Sequence, residues 1–222
     1  IFFAIIISGE RIALFNILML IILSVVLVVG LKKFKFVITS FLALVLIFLF
    51  STDLKVKDRL INYTIEQFRN GDELQFFSIT HHHLIMTSYN IFKDNIFFGT
   101  GPKTYRIECQ KFLDAYPLGC STHPHNNYMQ LLSETGLIGC FPIITIFFII
   151  CFIFIKQIYY YYIKNQIYLQ NHIILSLLPL FISLWPLIPT GNFFNNYISI
   201  IYYLPLGYCL YFFNIIKVEN DV

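Results

Sequence analysis

Leu137 to Ile155 reads LIGCFPIITIFFIICFIFI, 19 residues without a charge. A helix needs about 20 mostly apolar residues to cross a bilayer, so this run decides for a membrane protein. Lipid cannot satisfy backbone amides, which makes a helix the expected form. Working outwards, runs of the same kind occupy 12–30, 36–50, 173–190 and 197–216, and 1–7 reads as the end of an earlier span. The expected fold is all-α and polytopic, with about five full transmembrane helices plus a partial one. Pro142 falls in the central run, and Pro179, Pro186 and Pro189 in the next, which predicts a broken or kinked end there.

Composition agrees. The 222 residues are 58% hydrophobic, 18% aromatic and 12% charged, with a mean hydropathy of +0.72, whereas soluble domains carry about 25% charge. A net charge of +3 makes no basic patch, which excludes nucleic acid as a partner and leaves the lipid bilayer. The chain opens at Ile1 inside an apolar run with no charged leader, so it reads as part of a longer membrane protein rather than a signal peptide.

Lys32, Lys33, Lys35, Lys156, Lys164 and Lys217 fall on one side if the spans alternate, and positive loops mark the cytoplasm. The opposite side then carries the Ser8–Arg11 turn, residues 51–136 and the Thr190–Asn196 turn. Three segments follow: 1–50, transmembrane with an outward Arg turn; 51–136, an outward helical segment; and 137–222, transmembrane with a short cytoplasmic tail. Within the outward segment, Thr52 to Glu73 is polar. His83 to Asn95 predicts an amphipathic helix, and Phe97–Pro102 a turn. Residues 103–115 predict a short helix, and another starts near Asn126.

Polar chemistry concentrates in His123-Pro124-His125-Asn126-Asn127-Tyr128-Met129-Gln130, continuing to Glu134. Asn126 or Asn127 would cap the helix. A histidine just before a helix start, at the membrane edge, can exchange a proton near neutral pH. The helix amides favour a phosphate. Anchoring at the interface is the plainer reading. His81-His82-His83 with His123 and His125 would be a metal site only if the rings converged, and adjacent helical residues point apart. Arg11 either snorkels at the membrane edge or forks onto a pyrophosphate. Cys140, Cys151 and Cys209 fall in spans and read as packing residues. Cys109 and Cys120 are either free thiols or, in an oxidising compartment, a disulfide.

His125-Asn126, nine residues and then Gly136-Leu137-Ile138-Gly139 resembles the signature of the O-antigen ligase and polymerase superfamily. Ser8–Leu14 is similar to its Arg turn, and Phe98–Pro102 to its Gly-x-Gly element. Cys109, Cys120 and the Pro189–Asn196 turn extend the likeness. The resemblance implies the membrane glycosyltransferase C class of fold. It also implies an inverting, metal-independent transferase without a cofactor, multi-pass in the bacterial inner membrane, with its active face periplasmic. The donor would be a glycan on undecaprenyl pyrophosphate. The acceptor would be a sugar hydroxyl of lipid A-core or another glycan. His125 would be the base and Arg11 the pyrophosphate contact. His123, Asn126, Tyr128 and Gln130, with Glu134, would position substrate. Family ligases carry a second Arg upstream of the Gly-x-Gly element. Here Thr80-His81-His82-His83-Leu84 stands nearby, so a histidine (His82) replaces it, or Arg59, Arg69 or Arg106 supplies the charge. About half the usual spans would precede Ile1, and the fragment alone need not be active. A polymerase or protein O-oligosaccharyltransferase of the same superfamily differs only in acceptor. A transporter, the reading from another class, fits the proline-broken span but not spans nearly free of ionisable groups.

Overall fold

The computed structural model describes residues 10–30 and 78–220 without a break, together with positions 8, 33, 35–40, 42–43, 58, 65–66, 69–70 and 73–74. In chain order the elements are α1 (Arg11–Leu27), a two-residue antiparallel pair β1 (Arg69–Asn70) and β2 (Glu73–Leu74), α2 (Ile79–Asp94), α3 (Tyr105–Glu108), α4 (Asn127–Tyr162), α5 (Asn171–Ser183) and α6 (Asn196–Asn220). A 3-10 turn, Cys109–Phe112, follows α3 directly. Apart from the small ladder the described fold is helical, as expected.

Five full spans are not what the described residues give. One helix, α4, is long and apolar enough to cross a membrane, while α1, α5 and Ser199–Phe212 of α6 are shorter apolar helices. The apolar residues 1–7 and 44–50, and most of the polar stretch from Thr52 to Glu73, lie outside the described residues. On α4, Phe141, Phe148, Phe152 and Ile155 are each more than half exposed, an apolar outer surface that suits lipid rather than water.

Several boundaries differ from expectation, each for a physical reason. α2 begins at Ile79 rather than His83 because the Ser78 hydroxyl caps it, accepting the His81 amide at 3.4 Å. α5 stops at Ser183, short of residue 190, ahead of Pro186 and Pro189, which cannot donate to a continuing helix. Residues 103–115 give only one α turn and the 3-10 turn, because burial of Tyr105 and Cys109 fixes this segment rather than helical periodicity.

The chain divides into two compact units, 1–75 with 153–182 and 76–152 with 183–222. The first unit buries Leu27, Ile173, Ile174, Leu177 and Leu178, with the rings of Phe154 and Phe181 5.1 Å apart. Gln157, fully buried there, joins the end of α1 to the segment before α5. Its amide donates to Leu27 O at 3.1 Å, and its carbonyl accepts from Leu169 N at 2.9 Å. Asn171 pairs both ways with the Val29 backbone, at 2.8 and 3.0 Å. Amide side chains of this kind satisfy the carbonyls that helix ends leave open.

The second unit is built on Leu84, Ile91, Tyr105 and Cys109, with Phe112 and Cys120 packed against them. The Tyr105 hydroxyl lies 2.5 Å from Gly119 O. Cys109 and Cys120 are joined as a disulfide, with Cα atoms 5.1 Å apart. Replacing both by Ser should cost the full-length protein about 2–4 kcal/mol, the usual range for a closed loop of this kind. A denaturation midpoint unchanged by the substitution would show that the bond adds nothing.

Two glycine elements meet in this unit. α4 is interrupted at Gly136, where φ is 63° and ψ −163°, a backbone that L side chains disfavour. The break frees carbonyls and amides at the place where the Phe97–Gly101 turn docks. Thr100 N donates to Ser133 O at 3.1 Å and Gly101 N to Glu134 O at 2.8 Å. Leu137 N donates to Ile96 O at 2.8 Å and Ile138 N to Phe97 O at 3.2 Å. A β-carbon on Gly136 would overlap the Phe97–Phe98 backbone, and one on Gly99 (φ 64°) the Glu134–Thr135 backbone. Gly99→Ala or Gly136→Ala should therefore lower the unfolding temperature of the full-length protein sharply. The left-handed backbone alone costs about 1–2 kcal/mol, and the overlap adds to it. Gly207→Ala, with nothing within 4 Å of the new carbon, is the control. Equal melting of all three variants would refute the joint.

Candidate active site

His125 sits immediately before α4 with φ 54°, a left-handed conformation uncommon for a histidine. Two contacts hold it there. Its carbonyl accepts from Thr190 N at 2.9 Å. The next residue, Asn126, is the helix cap, its Oδ1 accepting from Tyr128 N and Met129 N, both at 3.1 Å.

Two further imidazoles approach His125. The His123 ring lies 4.1 Å from it, centre to centre, and the His81 ring 6.3 Å, edge-on. Thr122 Oγ1 lies 2.9 Å from His123 Nδ1. His82, the histidine expected from the sequence to replace the second Arg, is exposed and turned towards His83, 6.2 Å away. The structure places His81 at the cluster instead. The readable signal was Ser78, which starts α2 early and puts His81 in its first turn. Among the described residues, no group of three His, Cys, Asp or Glu could hold a metal ion.

Burial holds the His125 imidazole below the ordinary value of 6.5. His123 is also held low, first by burial and then by His125, against a weaker opposing contact with the Thr190 backbone. Both rings are therefore neutral at pH 7. The unfolded chain would bind more protons than the folded one below pH 6.5. Stability from this source is complete above that value and falls as the pH drops through the folded-state values.

Asn126, Tyr128 and Gln130, expected to position substrate, are hydrogen-bonded to the chain itself. Asn126 Nδ2 donates to Pro186 O at 2.8 Å, and the Tyr128 hydroxyl to Leu184 O at 2.6 Å. Both carbonyls belong to the non-helical chain that follows α5. Gln130, 1% exposed, donates to Asn192 Oδ1 at 2.9 Å and Glu134 Oε2 at 3.0 Å, and accepts from Phe193 N at 2.9 Å. Glu134 in turn accepts the Tyr105 amide at 2.9 Å. Two buried side chains of the helix that follows His125 thus carry both the Thr190–Asn196 turn and the turn after the Gly-x-Gly element. Arg11 opens α1 in the first unit, with Glu10 at its N-cap.

The family model for O-antigen ligase matches residues 1–144, about two thirds of the chain. The chain belongs to the O-antigen ligase family. Family members are membrane-embedded and transfer lipid-linked glycans. The match takes in Arg11, His81, the Gly-x-Gly turn, both bonded cysteines, His125 and Gly136, and it ends within α4. The Pro189–Asn196 turn, also similar to the family by sequence, lies beyond it. No curated protein and no solved structure matches the chain.

In the full-length protein labelled at histidine, NMR titration should show His123 and His125 both protonating below pH 6.5. A midpoint above that value for His125 would contradict the neutral imidazole.

Proposed function

We propose that this chain transfers a glycan from undecaprenyl pyrophosphate to a sugar hydroxyl of lipid A-core at the periplasmic face of the inner membrane. The observation that carries the reading is His125, neutral through burial and fixed in a left-handed turn at a helix start, in a chain of the O-antigen ligase family. A neutral imidazole near its working pH is what a general base requires.

The reaction balances with these groups. The His125 imidazole takes the proton from the acceptor hydroxyl. The oxygen attacks the anomeric carbon from the face opposite the leaving group, and configuration inverts. The bond from that carbon to the pyrophosphate oxygen breaks, and the pyrophosphate leaves with the electron pair. The proton passes from His125 to solvent. Arg11 is assigned to the pyrophosphate, whose growing charge a guanidinium offsets. His81 and His123 flank the base. Burial, rather than a neighbouring charge, keeps the His125 ring from holding a proton, and the His123 ring packs against it at 4.1 Å.

In this reading the apolar runs cross the membrane about five times, with the lysine-rich loops cytoplasmic and residues 51–136 periplasmic. Lys164 stacks over Tyr159 and Lys156 over Tyr168, at 5.9 and 5.5 Å, a pairing of aromatic and basic side chains typical of a membrane interface.

In cells carrying the full-length protein, His125→Ala should abolish lipid A-linked glycan while lipid-linked chains accumulate. His82→Ala, at an exposed side chain, should leave glycan close to normal. Arg11→Ala should cost far more than Arg11→Lys if charge alone suffices. Normal lipid A-linked glycan with His125→Ala would sink the base role. Accumulation of single repeat units instead of long chains would reassign the protein as a polymerase.

A further inference from the structure

The second unit contains an open pocket of about 240 Å³ lined by Lys103, Arg106, Asn192, Asn195 and Asn196. Drug-sized ligands occupy about 300–1,000 Å³, so this space suits one sugar ring or one phosphate. None of the five lining residues is a carboxylate.

The walls present donors. Ammonium and guanidinium groups have no acceptor. Asn192 Oδ1 already accepts from Gln130 Nε2 and Phe194 N, both at 2.9 Å. Asn195 Oδ1 accepts from Tyr197 N at 3.0 Å. With these carbonyls occupied by the protein, the amide NH2 ends of Asn192 and Asn195 are the ones left for a ligand. Asn196 begins α6, a helix of 25 residues, whose positive end adds to the field.

The pocket is also built, in the sense that its residues are held. Lys103 stands at φ 64°, a strained position for a lysine. It is fixed in a turn where Thr104 Oγ1 donates to Gly101 O at 2.6 Å. Arg106 Nε donates to Lys103 O at 3.3 Å, which orients the guanidinium. Behind the pocket, Glu134 holds the Lys103–Arg106 turn through Tyr105 N, and Gln130 holds Asn192.

We propose that this pocket binds the phosphate of a phosphate-bearing sugar. Two charged donors and two amide donors match the acceptor-only oxygens of a phosphate. The phosphate has two possible sources, the lipid-linked donor or a phosphorylated acceptor sugar. The proposal does not require His125 to be a base, because binding needs no turnover, and either idea can fail alone.

Isothermal titration of the purified full-length protein with glucose 6-phosphate, inorganic phosphate and glucose tests it. Glucose 6-phosphate and phosphate should bind, and glucose should not. The Lys103→Gln/Arg106→Gln double variant should weaken phosphate binding about tenfold or more. Both side chains are exposed, so its unfolding temperature should match the parent; Arg106→Gln alone, expected to weaken binding in the same direction, serves if it does not. Displacement of glucose 6-phosphate by undecaprenyl pyrophosphate would trace the phosphate to the donor, and persistence would trace it to the acceptor. Either result presupposes the pocket. Unchanged affinity in both variants, or glucose binding as tightly as glucose 6-phosphate, overturns the proposal.

Discussion

The backbone contact between Gly99 and Gly136 carries the rest of the second unit. Four main-chain hydrogen bonds cross it, and each glycine occupies a left-handed position where a β-carbon would overlap the other strand of chain. Breaking the helix at Gly136 leaves polar backbone groups open, and the Phe97–Gly101 turn closes them. One face of this joint leads down the apolar part of α4. The other leads back through Glu134, Gln130 and Asn126 to His125. The position of the histidine cluster therefore depends on a contact that involves no histidine.

A second constraint is economy of polar groups in an apolar chain. With 12% charged residues, the protein closes its helix ends with amide side chains rather than ions. Gln157 and Asn171 do so in the first unit, and Asn126 at the start of α4 in the second. An unsatisfied buried backbone group costs about 1–3 kcal/mol, so such residues are under strong structural demand. That demand explains why the polar cluster after His125 is not simply a row of substrate contacts. Two of its members, Gln130 and Glu134, are fully buried and hydrogen-bonded within the protein. The imidazoles brought together at the start of α4 are His81, His123 and His125.

Much of the architecture was legible in the sequence because apolar length and helix caps are local signals. The apolar run from Leu137 marked α4, and Asn126 marked its start. The prolines after Ser183 marked where α5 ends, though the end falls earlier than the apolar run suggests. The His motif was legible through its spacing to Gly136. What was not legible depends on tertiary contact. The pairing of the Gly-x-Gly turn with Gly136 joins residues 37 apart in the chain. The choice of His81 over His82 depended on a cap at Ser78, three residues before it. The role of Gln130 depended on Asn192 and Phe193, more than sixty residues away. Lys103 and Arg106 carried no sequence pattern that set them beside three asparagines.

The central functional claim is that the His125 imidazole itself accepts the acceptor's proton. His125 stands at φ 54°, which glycine adopts without strain, so His125→Gly should keep the fold while removing the base. The deciding measurement is the glycan-transfer rate of the purified full-length His125→Gly protein with and without added imidazole. The variant's rate should be near background and rise with imidazole concentration. Undiminished transfer by the variant without imidazole, or a background rate that imidazole does not raise in a correctly folded variant, would contradict the claim.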